Sequence, residues 1–313
     1  VTSVPVLVPP PSGVLSQPYM TPAMFKAFPT WMDLDNLVPG GIAGVQGDAL
    51  ADVLLAASDW AVGACDDMLL HAHLVSGENL RTRAGAGGRI YVKPRDIPVR
   101  QVISLSYGWD PSVMASLPLP DSTMWVEDGR EVSFVPGGGL SFVGPAIQFG
   151  PTSAPGFQAY VDWTYVPGYP STTISAVSSG AVSVTVADPT GILPGDTLRI
   201  YDPGLSEALT VAATYVPAVP TVPPTPTAIP LAAATANAHA AGTGITGMPR
   251  KVLQAVVAFA VALLMREDVS AEEPASPFGP AARTTGGVRG GAASGLVNDA
   301  YGWLAPYRPT LRS

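Results

Sequence analysis

Charge is what this 313-residue chain has least of: Asp, Glu, Lys and Arg together make up 13% of it, about half the share usual in soluble domains. A surface so poor in charge suits either a membrane protein or one whose faces are covered by other protein copies. The membrane option needs a run of roughly 20 apolar residues, and none is present. The best stretch, Val252 to Met265, is interrupted by Gln254 and bounded by Arg250, Lys251, Arg266, Glu267 and Asp268, so it reads as a buried helix. Val1 to Pro11 lacks the basic flank of a signal peptide and carries three consecutive prolines.

Cysteine and histidine are scarcer still. One cysteine, Cys65, excludes an intrachain disulfide and a cysteine metal cage and reads as a small buried hydrophobe on a helical face. The three histidines are His71, His73 and His239. His71 and His73 are expected two apart on a helix, pointing about 200° from each other, where they cannot chelate one metal. Asp66 and Asp67 are expected to solvate a helix face. Ala84-Gly85-Ala86-Gly87-Gly88 is followed by no Gly-Lys-Ser/Thr, so it is no phosphate cradle, and no Gly-x-Ser-x-Gly elbow occurs. No enzyme, cofactor or metal is therefore expected. A net charge of −8 argues against a protein that grips nucleic acid by neutralising phosphates. The basic exception is Arg81, Arg83, Arg89, Lys93, Arg95 and Arg100, with Asp96 as its lone acid, expected to form an inter-subunit or loop cluster.

What the chain has in quantity is apolar residues (47%), 34 prolines and 33 glycines. These punctuate it into an extended Pro-rich arm over 1–16, a first helical part over 17–80, a β-rich section over 81–170, a small β module over 171–236 and a second helical part over 245–313. Thr21-Pro22 predicts a helix N-cap followed by proline at the first helical position. Apolar residues at spacings of three and four predict a long helix near 48–75, with Gly63 at a close helix contact or a slight bend and Gly77 as its stop. Short alternating runs between Pro and Gly turns predict strands over 89–93, 99–107, 123–127, 131–135 and 160–166. In the module, Pro194-Gly195-Asp196 and Asp202-Pro203-Gly204 bracket a strand over 197–201, and the proline-dense 216–230 is expected as an extended loop. Helices are predicted near 249–268, apolar nearly all round, and near 293–304, separated by a Gly-rich flexible loop over 270–292. The fold class is α+β: a helical core carrying inserted antiparallel β-rich sections. Trp31, Trp60, Trp109, Trp125, Trp163 and Trp303 are scattered and expected as core or interface anchors.

The order of these elements resembles the head-to-tail adaptor (connector) proteins of long-tailed bacteriophages. The resemblance rests on the short capped helix from Tyr19-Met20-Thr21 to Phe28, the helix containing Leu54-Leu55-Ala56-Ala57-Ser58, and the strands at Arg89 to Pro94 and Val161 to Pro170. It also rests on the late helix after Met248-Pro249 and on the tail Trp303-Leu304-Ala305-Pro306-Tyr307-Arg308. It covers the helical parts, roughly 17–80 and 245–313. It implies a virion protein with a helical adaptor core, assembled in the host cytoplasm and located in the neck. Twelve copies would form a ring beneath the portal protein and extend the DNA channel toward a stopper and the tail, with double-stranded DNA as transient cargo and no membrane contact. It places portal contacts at the C-terminal segment, with Tyr301, Trp303, Leu304, Tyr307 and Arg308 as candidate anchors. The β module at 171–236 departs from the shorter members of that family. The alternative reading is a surface adhesin or decoration protein that binds host glycan through this module; a stopper or other neck component is a further rival.

Overall fold

A computed structural model describes residues 17–30, 32, 34, 37–38, 40–83, 85, 89–120, 123–135, 158–267 and 288–308. The chain is a mixed α+β protein with helices and antiparallel sheets. It divides into two units: 1–69 with 249–308, and 70–248. The arm expected over 1–16 and most of the loop expected over 270–292 lie outside the described residues. So do Trp31 and, from the glycine-rich stretch, Ala84, Ala86, Gly87 and Gly88.

The first unit is helical. Helix α1 (Pro22–Lys26) begins where the Thr21 hydroxyl accepts the Met24 amide, satisfying one of the donors a helix start leaves open. Helix α2 (Ala43–Ala64) buries Leu50, Leu54, Ala57, Ala61 and Ala64 along one stripe. The Ser58 hydroxyl, on the same buried side, donates to the Leu54 carbonyl and accepts the Tyr19 amide at 3.0 Å, which pins the segment before α1. The Gln46 carboxamide grips both backbone groups of Val38 at 2.8 Å, fixing the loop before α2.

The helix expected near 48–75 is corrected at both ends. It starts at Ala43 and stops at Ala64, because Asp66 and Asp67 adopt left-handed backbone (φ 56° and 59°) and the Asp67 amide turns back to the Val62 carbonyl. Short polar side chains tolerate that conformation better than most. Gly63 makes no close contact among the described residues; a Cβ there would meet nothing within 4 Å. Helix α3 (Arg250–Glu267) is the centre of the unit, with Val252, Leu253, Val256 and Phe259 all fully buried. Its apolar circumference is the reason it can be covered on several sides. Helix α4 (Val288–Leu304) is longer than the 293–304 expected and passes into a 3-10 turn over Ala305–Tyr307.

The second unit is β. Strand β1 (Val75–Arg83) begins where the long helix is expected to end, with Gly77 (φ 66°) at a bulge rather than at a helix end. The strands β2 (Ile90–Val92), β3 (Val99–Asp110), β4 (Val113–Ser116), β5 (Trp125–Glu127), β6 (Glu131–Phe134) and β7 (Gln158–Pro167) follow. They form two antiparallel sheets, ordered β1-β7-β3-β4 and β2-β6-β5, around a shared core of Ile90, Leu105, Val132, Phe134, Val161 and Trp163.

The module that follows contains β8 (Ser171–Thr173), β9 (Ser183–Val186), β10 (Thr197–Tyr201), β11 (Glu207–Thr210), β12 (Thr227–Pro230) and β13 (Gly244–Thr246). Its sheets are β11-β10-β13-β8 and β12-β9, closed over Val184, Val186, Leu198, Ile200, Ile229 and Ile245. The module thus runs past 236 to β13, whose pairing with β8 brings chain entry and exit onto adjacent strands. That arrangement lets a folded unit interrupt the sequence without separating its flanks.

Candidate functional site

The anchors expected near the C-terminus are sorted by the helix period. Ala300 and Leu304 are four apart, share one face of α4 and are fully buried. Leu304 is therefore a core residue and not an available anchor, a correction that follows from helix phase. Tyr301 keeps 38% of its surface exposed while its ring meets Phe259 of α3 edge to face, with centroids 5.6 Å apart. Phe259 in turn packs on Trp60 of α2. Trp303 and Tyr307 are half-buried and Arg308 is exposed.

Arg308 nevertheless has a structural tie: its Nε donates to the Ala64 carbonyl at 2.8 Å. That carbonyl belongs to the last turn of α2, where unpaired acceptors and the negative end of the helix dipole favour a cation. Beside it, burial pushes the Cys65 thiol up to about 12, against the lowering influence of Arg308. A thiol so held stays protonated and is a poor nucleophile.

Of the six basic residues expected as an inter-subunit or loop cluster, Arg81, Arg89, Arg95 and Arg100 have separate partners within the chain. Arg81 lies over the Tyr160 ring and bonds to Gln158 across β1 and β7. Arg89 donates to the Ser133 hydroxyl at 2.9 Å. Arg95 pairs with Asp96 at 3.2 Å. Arg100 pairs with Asp196 and reaches the Gly191 carbonyl, joining β3 to the module. Arg83 and Lys93 are exposed. The partners of Arg81, Arg89 and Arg100 lie far along the chain and leave no mark in the linear spacing.

His71 and His73 are not on a helix. They lie on the extended segment before β1, where His71 bridges in parallel to Tyr169. Nδ1 of His73 is 2.9 Å from the His71 carbonyl and Nε2 is 3.3 Å from Asp96. Both ring nitrogens face oxygen acceptors, so neither is turned outward as a base. Asp96 is almost fully buried; burial pushes its carboxyl up, but bonds from His73 and Arg95 outweigh this and hold it below the usual range. Burial pushes His71 down to about 4, so it is neutral at pH 7. Glu78 takes the Arg95 amide and the Trp163 indole N–H, each at 3.2 Å. Tyr165, stacked on Trp163 with centroids 4.0 Å apart, accepts the Asp96 amide, and burial followed by Glu78 raises its phenol. This network fastens β1, the 93–98 segment and β7 together.

A third arrangement had no signal in the sequence. His239, with no side-chain exposure, lies between Asp202 (3.0 Å from Nδ1) and Glu207 (2.7 Å from Nε2). Glu207 also accepts the amides of Ala236 and Asn237. The turn Asp202-Pro203-Gly204 places the two carboxylates at the end of β10 and the start of β11, but nothing in its spacing points to a histidine far along the chain. The carboxylates flank opposite edges of the ring, which is a clamp geometry and not a chelate. Among the described residues, no group of three or more His, Cys, Asp or Glu side chains could hold a metal ion. No helix among them is long and apolar enough to cross a membrane.

Comparison of the chain with protein-family models, curated proteins and solved structures found no match.

Proposed function

We propose that this chain is a structural protein of a tailed-bacteriophage virion: a head-to-tail adaptor whose copies form a ring under the portal and continue the DNA channel toward the tail. The observation that carries the reading is the helical unit, assembled from both ends of the chain around an inserted β section. Within it the C-terminal turn is tied back to α2 through Arg308 and Ala64. The element order is the one the resemblance implies for an adaptor core. The scarcity of charge supports it, because a subunit flanked by copies on both sides needs less solvated surface. The acidic balance supports it too, since a channel wall of like charge lets DNA slide without sticking.

The adaptor would contact the portal ring, a stopper or other neck proteins, and its own copies, twelve by the family's habit, with DNA as passing cargo. It would act in the neck of the virion after assembly in the host cytoplasm, without catalysis. Tyr301, Trp303, Tyr307 and Arg308 are its portal-facing side chains. Electron micrographs of lysate from a phage lacking the gene provide the test. DNA-filled heads and free tails, unjoined, are the expected result. Joined particles that fail to adsorb to the host would overturn it in favour of the glycan-binding adhesin.

A further inference from the structure

The three-stranded sheet β2-β6-β5 carries two open aromatic residues on one rung. Tyr91 of β2 and Trp125 of β5 are each paired with Ser133 of the central strand β6, and directly opposed residues share a sheet face. Tyr91 is 37% and Trp125 61% exposed, while the small Ser133 between them is buried and accepts the Arg89 guanidinium. The result is two exposed aromatic side chains on either side of a serine bonded to Arg89. The two aromatic residues are two strand spacings apart, about 10 Å. The Tyr91 ring lies against Gly85, where an added Cβ would stand 2.7 Å from Cε2 of the ring.

The same chain presents a ligand of matching chemistry. Between β11 and β12 runs Val216-Pro217-Ala218-Val219-Pro220-Thr221-Val222, a Val-Pro-x triplet repeat. Each proline fixes its own φ and biases the preceding valine toward extended or polyproline geometry. A polyproline helix has three residues per turn and rises about 3.1 Å per residue, so successive valines line one edge about 9 Å apart. That repeat matches the spacing of the two aromatic residues. Val216, Val219 and Val222 are 80%, 65% and 89% exposed. The three valines, Tyr91 and Trp125 are all exposed, while Ser133 between the two rings is covered.

We infer that the Val216–Val222 segment of one copy docks across the Tyr91–Ser133–Trp125 rung of a second copy. Pro-rich segments recognise aromatic-lined grooves because the extended ligand loses little conformational freedom on binding. The contact joins two different surfaces, so it is head-to-tail and propagates into a ring or an open chain. It supplies one contact for the self-association in the adaptor reading and rests on that reading only for ring closure.

The test is sedimentation velocity on the full chain and on two variants, Trp125→Ala and the pair Val216→Ser with Val219→Ser. All the changed residues are largely exposed, so unchanged thermal unfolding serves as the control for folding. The wild type is expected to assemble, and each variant to associate about tenfold or more weakly. A 1:1 mixture of the variants, each retaining the half the other lacks, is expected to give a discrete two-chain species that grows no further. A monomeric wild type, variants that assemble like the wild type, or a mixture that stays monomeric would each overturn the inference. Unchanged assembly combined with loss of glycan binding by Trp125→Ala would reassign the rung to a carbohydrate. Rings of unaltered size in both variants would remove this contact and leave the adaptor reading to the gene-deletion micrographs.

Discussion

Nε2 of His239 lies 2.7 Å from a carboxylate oxygen of Glu207, and the histidine side chain has no solvent exposure. Removing the ring leaves Glu207 and Asp202 without their shared partner inside the module. His239→Ala is expected to lower stability by roughly 2–4 kcal/mol, measured as a shift in the urea midpoint. A loss below about 0.5 kcal/mol would show that the clamp contributes little.

Glu207 also sets a pH dependence. Burial raises its carboxyl, but the Ala236 amide, the His239 bond and the Asn237 amide outweigh that and hold it below its ordinary value of 4.5. A carboxyl depressed in the folded state stabilises above its unfolded pKa, and the benefit is lost as pH falls through the folded one. Thermal unfolding of the wild type should therefore weaken below about pH 4.5. Glu207→Gln should start less stable at neutral pH and lose less on acidification; parallel curves for the two proteins would contradict this.

Phe259 is the buried ring on which Trp60 and Tyr301 converge. Phe259→Ala leaves a cavity between three helices and is expected to cost about 3–5 kcal/mol. Leu304→Ala, at a fully buried position, is expected to cost about 2–5 kcal/mol. Tyr301→Ala should cost less stability than either and weaken binding to isolated portal rings more. Equal portal affinity for Tyr301→Ala and wild type in a pull-down titration would remove Tyr301 from the interface.

Gly168 (φ 83°) follows β7, and a Cβ there would stand 2.4 Å from the His71 carbonyl oxygen. Both the left-handed backbone and the close approach require glycine. The Tyr169 amide beside it reaches the Leu70 carbonyl at 2.8 Å, so the turn holds the 70–72 segment in place. Gly168→Ala is expected to lower stability by at least about 2 kcal/mol; thermal unfolding indistinguishable from wild type would show that the backbone yields there.

The portal reading distinguishes Arg308 from a purely structural residue. Its bond to the Ala64 carbonyl should make Arg308→Ala cost about 0.5–1.5 kcal/mol, while Arg308→Lys keeps the charge but not the fork. Loss of portal affinity in both variants, with only a small change in unfolding midpoint, is the expected pattern.

Features governed by near neighbours were determined by the sequence itself. The Thr21 cap, the apolar circumference of α3 and the strand Thr197–Tyr201 between two Pro/Gly turns were all legible, because capping, periodicity and turn chemistry act within a few residues. Tertiary structure decided what depends on distant partners. The helix-like apolar spacing continues to Val75, yet Asp66 and Asp67 turn the chain, and β1 from Val75 onward pairs with β7, some eighty residues away. The same long-range pairing gave Arg81, Arg89 and Arg100 partners far along the chain. It also carried His239 to Asp202 and Glu207, and set Tyr91 and Trp125 on either side of Ser133. Such juxtapositions leave no periodic trace, since contacts between distant segments are fixed by packing and strand pairing rather than by local spacing.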